Sequence, residues 1–107
     1  MVESGVMKIR MYSNGIEAPL TAFIGNFLGK VCLGMAESLK TPRPVSSFKF
    51  EIAGDDVRIE VNHAPIPMNL RSGFCQVMVR NTIRGMVRDL KLDDPSGDIR
   101  IEADLEV

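Results

Sequence analysis

The chain holds few of the residues from which active sites are commonly built. It has one histidine, His63, and two cysteines, Cys32 and Cys75, among 107 residues. Neither Cys-x-x-Cys nor any other zinc-ligand spacing occurs, and two cysteines alone cannot close a zinc site. His63 has no nucleophile and orienting partner that a motif would tie to it, so no catalytic set is assigned. Phosphate-binding loops of the Gly-x-Gly-x-x-Gly and Gly-x-x-x-x-Gly-Lys-Ser/Thr kinds are absent. No metal or cofactor is expected. The function class that remains is a binding or accessory module, with a small enzyme or metal protein the least supported reading.

One-sided charge is also lacking. The formal net charge is -1, which gives the whole chain no pull toward nucleic acid or an anionic membrane. The start of the chain carries Glu3 and no long apolar run, unlike a signal peptide, so a cytoplasmic setting is expected. The one stretch resembling a membrane span, Ala18 to Ala36, is interrupted by Pro19, Asn26 and Lys30. A central lysine alone costs about 2.5–3.5 kcal/mol on insertion. No membrane partner is expected, and the sequence does not identify a small-molecule ligand.

What is present is a core. Apolar residues make up 45% and charged residues 25%, which suits one globular domain spanning the full length. Met7 to Tyr12 alternates as a half-buried strand, ended by Ser13-Asn14-Gly15. Leu20 to Leu39 has helical period, with Pro19 in its first turn and Thr41-Pro42-Arg43-Pro44 stopping it. Its apolar face reads as Leu20, Phe23, Ile24, Phe27, Leu28, Val31, Met35 and Leu39.

Ser47 to Ile52 and Asp56 to Val61 alternate around an Ala53-Gly54-Asp55-Asp56 loop. Pairing Ile52 with Val57 also sets Glu51 opposite Arg58 and Lys49 opposite Glu60, so hydropathy and charge select one register. Each such pair adds roughly 0.2–1 kcal/mol. After a Pro-rich connector at His63 to Pro67, Asn69 reads as the N-cap of a helix over Leu70 to Leu92. Its core face is Cys75, Met78, Val79, Ile83, Met86 and Leu90. A last strand runs from Ile99 to Val107.

The order β-α-β-β-α-β predicts an α+β two-layer sandwich of ferredoxin-like topology. Its four-stranded antiparallel sheet would carry both helices on one face, with the first strand central beside the third and fourth. No internal repeat is legible beyond two β-α-β-like halves. Outward sheet positions are charged, and Tyr12 is the sole aromatic there, unlike RNA-reading sheets.

Two surfaces are candidate sites. Arg80, Arg84, Arg88 and Lys91 form a basic stripe that would serve a nucleic-acid or nucleotide-binding domain, but the near-neutral net charge favours a solvated helix face. On the first helix, Ala22, Gly25, Gly29, Cys32 and Ala36 make a seam of small residues. Each helical glycine costs about 1 kcal/mol against alanine, so close approach of another element should compensate. That element is either the second helix or another subunit. With apolar Leu33, Leu70, Phe74 and Val77 off the main core stripes, Gly25 and Gly29 are assigned to a homodimer interface. Cys32 and Cys75, taken as level on antiparallel helices, are expected to be reduced and buried.

Overall fold

The computed structural model describes residues 6–39, 44–67, 73–90 and 97–106. Its elements run β1 (Val6–Ser13), β2 (Ile16–Ala18), α1 (Ala22–Ser38), β3 (Ser47–Ala53), β4 (Asp56–Val61), β5 (Ala64–Pro65), α2 (Phe74–Arg88) and β6 (Ile99–Glu106). The fold is α+β, with two helices and a six-stranded antiparallel sheet of order β2-β1-β6-β3-β4-β5.

This corrects the ferredoxin-like expectation. The central strand is β6, held between β1 and β3, whereas β1 has only short β2 on its other side. Charge supplies a physical reason. The acids of β6 meet bases on both flanks: Lys8 and Arg10 lie opposite Asp104 and Glu102 on one side, and Lys49 lies opposite Glu102 on the other. The inward residues Ile99, Ile101 and Ala103 are each no more than 2% exposed, as suits a central strand. The β3–β4 register agrees with the expected one, Ile52 opposite Val57 and Glu51 opposite Arg58.

Both additional strands come from tight turns. Asn14 (φ 51°) and Gly15 (φ 83°) turn β1 into β2, and Asn62 (φ 54°) and His63 (φ 66°) turn β4 into β5. Positive φ at both central residues is the hairpin geometry that favours asparagine and glycine. Pro19 precedes the first helix instead of opening it. Thr21 is the N-cap, its Oγ1 accepting from the Ile24 amide at 3.2 Å. α2 begins at Phe74 behind Gly73 (φ 65°), later than expected, while Asn69 lies outside the described residues.

The element order is that of one unit used twice: hairpin, helix, strand. Exchanging β1-β2-α1-β3 with β4-β5-α2-β6 reproduces the sheet order in reverse, which is a pseudo-two-fold axis through the sheet. Hydrogen bonds repeat with it. The Asn14 amide donates to Asp98 O at 2.8 Å, and the Asp98 amide donates back to Asn14 Oδ1 at 2.9 Å. The Asn62 amide likewise donates to Ser47 O at 2.9 Å, and the Ser47 amide to Asn62 Oδ1 at 3.2 Å. Aligned this way, Gly34-Met35-Ala36 falls on Gly85-Met86-Val87, Leu39 on Leu90, and Phe48-Lys49-Phe50-Glu51 on Ile99-Arg100-Ile101-Glu102. The two β-α-β-like halves expected from the sequence are therefore hairpin-helix-strand units, and the repeat extends beyond that expectation to the hairpins.

Candidate functional site

The phase of α1 decides what the molecule shows to its surroundings. Its buried residues are Gly25, Leu28, Gly29, Cys32 and Ala36, so the small-residue seam is the core face. The element it approaches is β1. A Cβ on Gly25 would lie 3.1 Å from Ile9 Cγ2; one on Gly29 would overlap Met7 Sδ and lie 3.3 Å from Ile9 Cδ1. The close approach expected from the glycines exists, but its partner is a strand of the same chain. Gly25 and Gly29 are thus corrected from interface residues to buried packing residues. Ala22, at the start of the seam, is exposed.

Lowering the small face onto the sheet turns the large side chains outward. Phe23 is 73% exposed and Phe27 49%, their rings stacked with centroids 6.2 Å apart. Hydropathy alone places both on the apolar face of the helix; the structure turns them to solvent. Phe23, Phe27, Val31, Met35 and Leu39 are spaced by four and form one ridge along α1. The ridge descends from the exposed ring pair into a groove of about 620 Å³ between the helices. Val31, Met35 and Leu39 line it from α1, and Cys75, Met78 and Val79 from α2. The second half of α1 thus faces the first half of α2, and the helices run antiparallel.

On α2 the buried residues are Val79, Ile83 and Val87. Met78, expected inside, is 52% exposed beside the groove, and Val77 is 40% exposed. Leu33 is half-buried. Leu70 lies outside the described residues, as does the side chain of Phe74.

The basic stripe is partly folded onto the chain. Arg84 Nη1 donates to Gly97 O at 2.6 Å and Nη2 to Gly54 O at 3.4 Å. Arg80 Nη1 donates to Asp55 O at 3.4 Å and lies 3.7 Å from its carboxylate. Arg88 is exposed, and Lys91 lies outside the described residues. Two of the four cations assigned to anion binding therefore spend donors on loop carbonyls.

The opposite sheet face is a charge ladder. Arg10 reaches Glu102 at 3.3 Å and Asp104 at 3.5 Å, Lys49 reaches Glu60 at 3.5 Å, and Arg100 Nε lies 3.2 Å from Glu102. Partial burial draws the Arg10 pKa down, but hydrogen bonding and charge from Glu102, with help from Asp104, outweigh it and raise it overall. The Arg100 guanidinium stacks 4.1 Å over the Tyr12 ring. His63 lines a pocket of about 200 Å³ with Glu60, Glu102 and Asp104, but Arg10 and Lys49 line it too and pair with those acids. Among the described residues no group of three or more His, Cys, Asp or Glu is placed to hold a metal ion.

The cysteines are free and not equivalent. Cys32 is fully buried against the sheet, and burial pushes its thiol up to about 12. Cys75 is half-buried at the groove, which corrects the expectation that both are core thiols.

The fold and its surfaces define a two-helix, single-sheet α+β protein with an apolar helical face and a charge-paired sheet face. No family model matches the chain, and no curated protein or solved structure matches it significantly. Among the described residues no helix is long and apolar enough to cross a membrane.

Proposed function

We propose that this protein is a non-enzymatic binding or accessory module that self-associates through its helical face. The observation that carries the reading is the stacked pair Phe23 and Phe27, large, solvent-facing and continuous with the inter-helix groove. Single exposed apolar residues mean little, but contiguous ones mark interaction surfaces. Among the described residues the sheet's other face offers no comparable patch, because its carboxylates pair with guanidinium groups and with Lys49. The homodimer expected from sequence is kept, with Phe23, Phe27 and Met78 in place of Gly25 and Gly29. Free Cys32 and Cys75 fit a cytoplasmic setting.

The nucleic-acid alternative is weakened by the carbonyl bonds of Arg80 and Arg84. The test is the molar mass of the native chain across concentration, beside the double variant Phe23→Asp/Phe27→Asp. A concentration-dependent dimer that becomes a folded monomer in the variant supports the reading. A native chain that stays monomeric at millimolar concentration overturns it.

A further inference from the structure

Four glycines lie inside the two helices, and β1 accounts for only two of them. Gly25 and Gly29 are needed for the approach to Ile9 and Met7. Gly34 on α1 and Gly85 on α2 are different, since among the described residues a Cβ at either would meet nothing within 4 Å. Glycine is among the poorest helix formers, and among the described residues neither position has a contact that requires it. The two are equivalent under the internal repeat, so the same gap occurs on both helices.

Each gap follows a bulky apolar residue by seven positions, two helical turns along nearly the same stripe. Phe27 precedes Gly34 on α1, and Met78 precedes Gly85 on α2. Phe27 is 49% and Met78 52% exposed. Gly34 and Met78 line one end of the groove together. The pseudo-two-fold axis then sets Gly85 beside Phe27 at the other end. The outward face is therefore a diagonal pattern, two bulky residues at opposite corners and two gaps at the others.

We infer that this pattern is a self-complementary interface whose occupant is a second copy of this chain. The inference rests on the self-association proposed above and gives it a geometry. A two-fold axis lying in the plane of the face, along the helices, sets Phe27 over Gly85 of the second copy and Met78 over its Gly34. An axis across the helices sets Phe27 over Gly34 of the second copy and Met78 over its Gly85. Either arrangement seats every bulky residue in a gap, as an isologous contact requires. The area is adequate. α1 has 17 residues, and two helices about 25 Å long, with a groove between them and so set no closer than the roughly 10 Å of packed helices, give a flat footprint of at least about 500 Å². Corrugation by side chains brings that toward the roughly 800 Å² per partner of a standard interface. Between the corners lie Val31, Asn81 and Thr82 and one charge, Lys30, which the repeat makes the equivalent of Asn81. Glu37 and Arg88 stand beyond the corners, on the side of a polar rim.

The test fills the gaps. Gly34→Leu and Gly85→Leu improve helix propensity, and the added Cβ meets no described residue within 4 Å, so the monomer should fold with an unchanged circular dichroism spectrum. Sedimentation equilibrium should show the dimer dissociation constant raised at least tenfold in each. Gly34→Ala, the smallest change, should raise it less and provides a folded comparison should leucine disturb the helix. A native dimer whose affinity all three variants leave unchanged overturns the gap-filling interface while self-association stands. A monomeric native chain overturns both.

Discussion

Replacing Arg84 with alanine should destabilise the fold by about 2 kcal/mol. The guanidinium reaches Gly97 O at 2.6 Å, a short bond with a charged donor, and such bonds contribute about 1.5–3 kcal/mol. The second contact, to Gly54 O at 3.4 Å, is long and adds little. Arg84 is only half-buried, which argues for the lower part of that range. Through these bonds α2 ties the β3–β4 loop to the residues entering β6. For a chain of 107 residues the loss corresponds to a midpoint about 9 °C lower in thermal unfolding. Exposed Arg88 is the internal control, and Arg88→Ala should stay within about 0.5 kcal/mol. Arg84→Lys keeps the charge but not the fork, and should recover only part of the loss. Protein concentration must be held constant, since association shifts the midpoint. Should Arg84→Ala and Arg88→Ala unfold at the same temperature, the stripe is solvated and the loop-tying role is wrong.

Other outcomes are equally specific. A double-mutant cycle on Glu51 and Arg58 should give a coupling of about 0.2–1 kcal/mol, and zero would count against a contribution from that pair. Asn62→Ala removes the acceptor for the Ser46 and Ser47 amides and leaves alanine at φ 54°, so chemical denaturation should show a loss of about 2–4 kcal/mol. Asn62→Gly should lose less, because it restores only the backbone freedom. In native protein Cys75 should react with a thiol reagent much faster than Cys32, and equal rates would refute the assigned burial. Cys32 also predicts a pH dependence. Its folded pKa is raised to about 12, so above about pH 9 the unfolded chain releases a proton that the folded chain keeps. Stability should fall as pH rises through that window, by up to roughly 1.4 kcal/mol per unit; Cys32→Ala should flatten that part of the profile.

The hairpin register was readable because hydropathy and charge choose it independently. The phase of α1 was not, and the reason is physical. Phe23, Ile24, Phe27, Leu28, Val31, Cys32, Leu33 and Met35 surround much of that helix, so hydropathy does not single out a face. Volume does: the face that lies closest to the sheet must be made of glycine, alanine and cysteine. Strand order does not follow from Lys8 and Arg10 alone, because the acids of β6 are flanked by a base on the far side too, where Lys49 sits opposite Glu102. The repeat was hidden by its spacers. The first half is two residues longer between asparagine and alanine, Asn14 to Ala18 against Asn62 to Ala64. The second is five longer between that alanine and the helix, Ala64 to Phe74 against Ala18 to Phe23. Within the matched segments phenylalanine answers isoleucine and leucine answers valine, which preserves the pattern but not the letters.

The placement of β6 has a consequence for how the chain reaches this state. The first half cannot close its own sheet, because the strand that joins β1 to β3 is β6, which follows both of them in the chain. Until β6 leaves the ribosome, β1 and β3 each keep an open edge, and α1 has no continuous floor to settle on. Pairings such as Val6 with Glu106 span nearly the whole chain, and such long loops slow folding relative to local contacts. Until then the growing chain carries unpaired strand edges, the form most exposed to chaperones and to mispairing with its own copies.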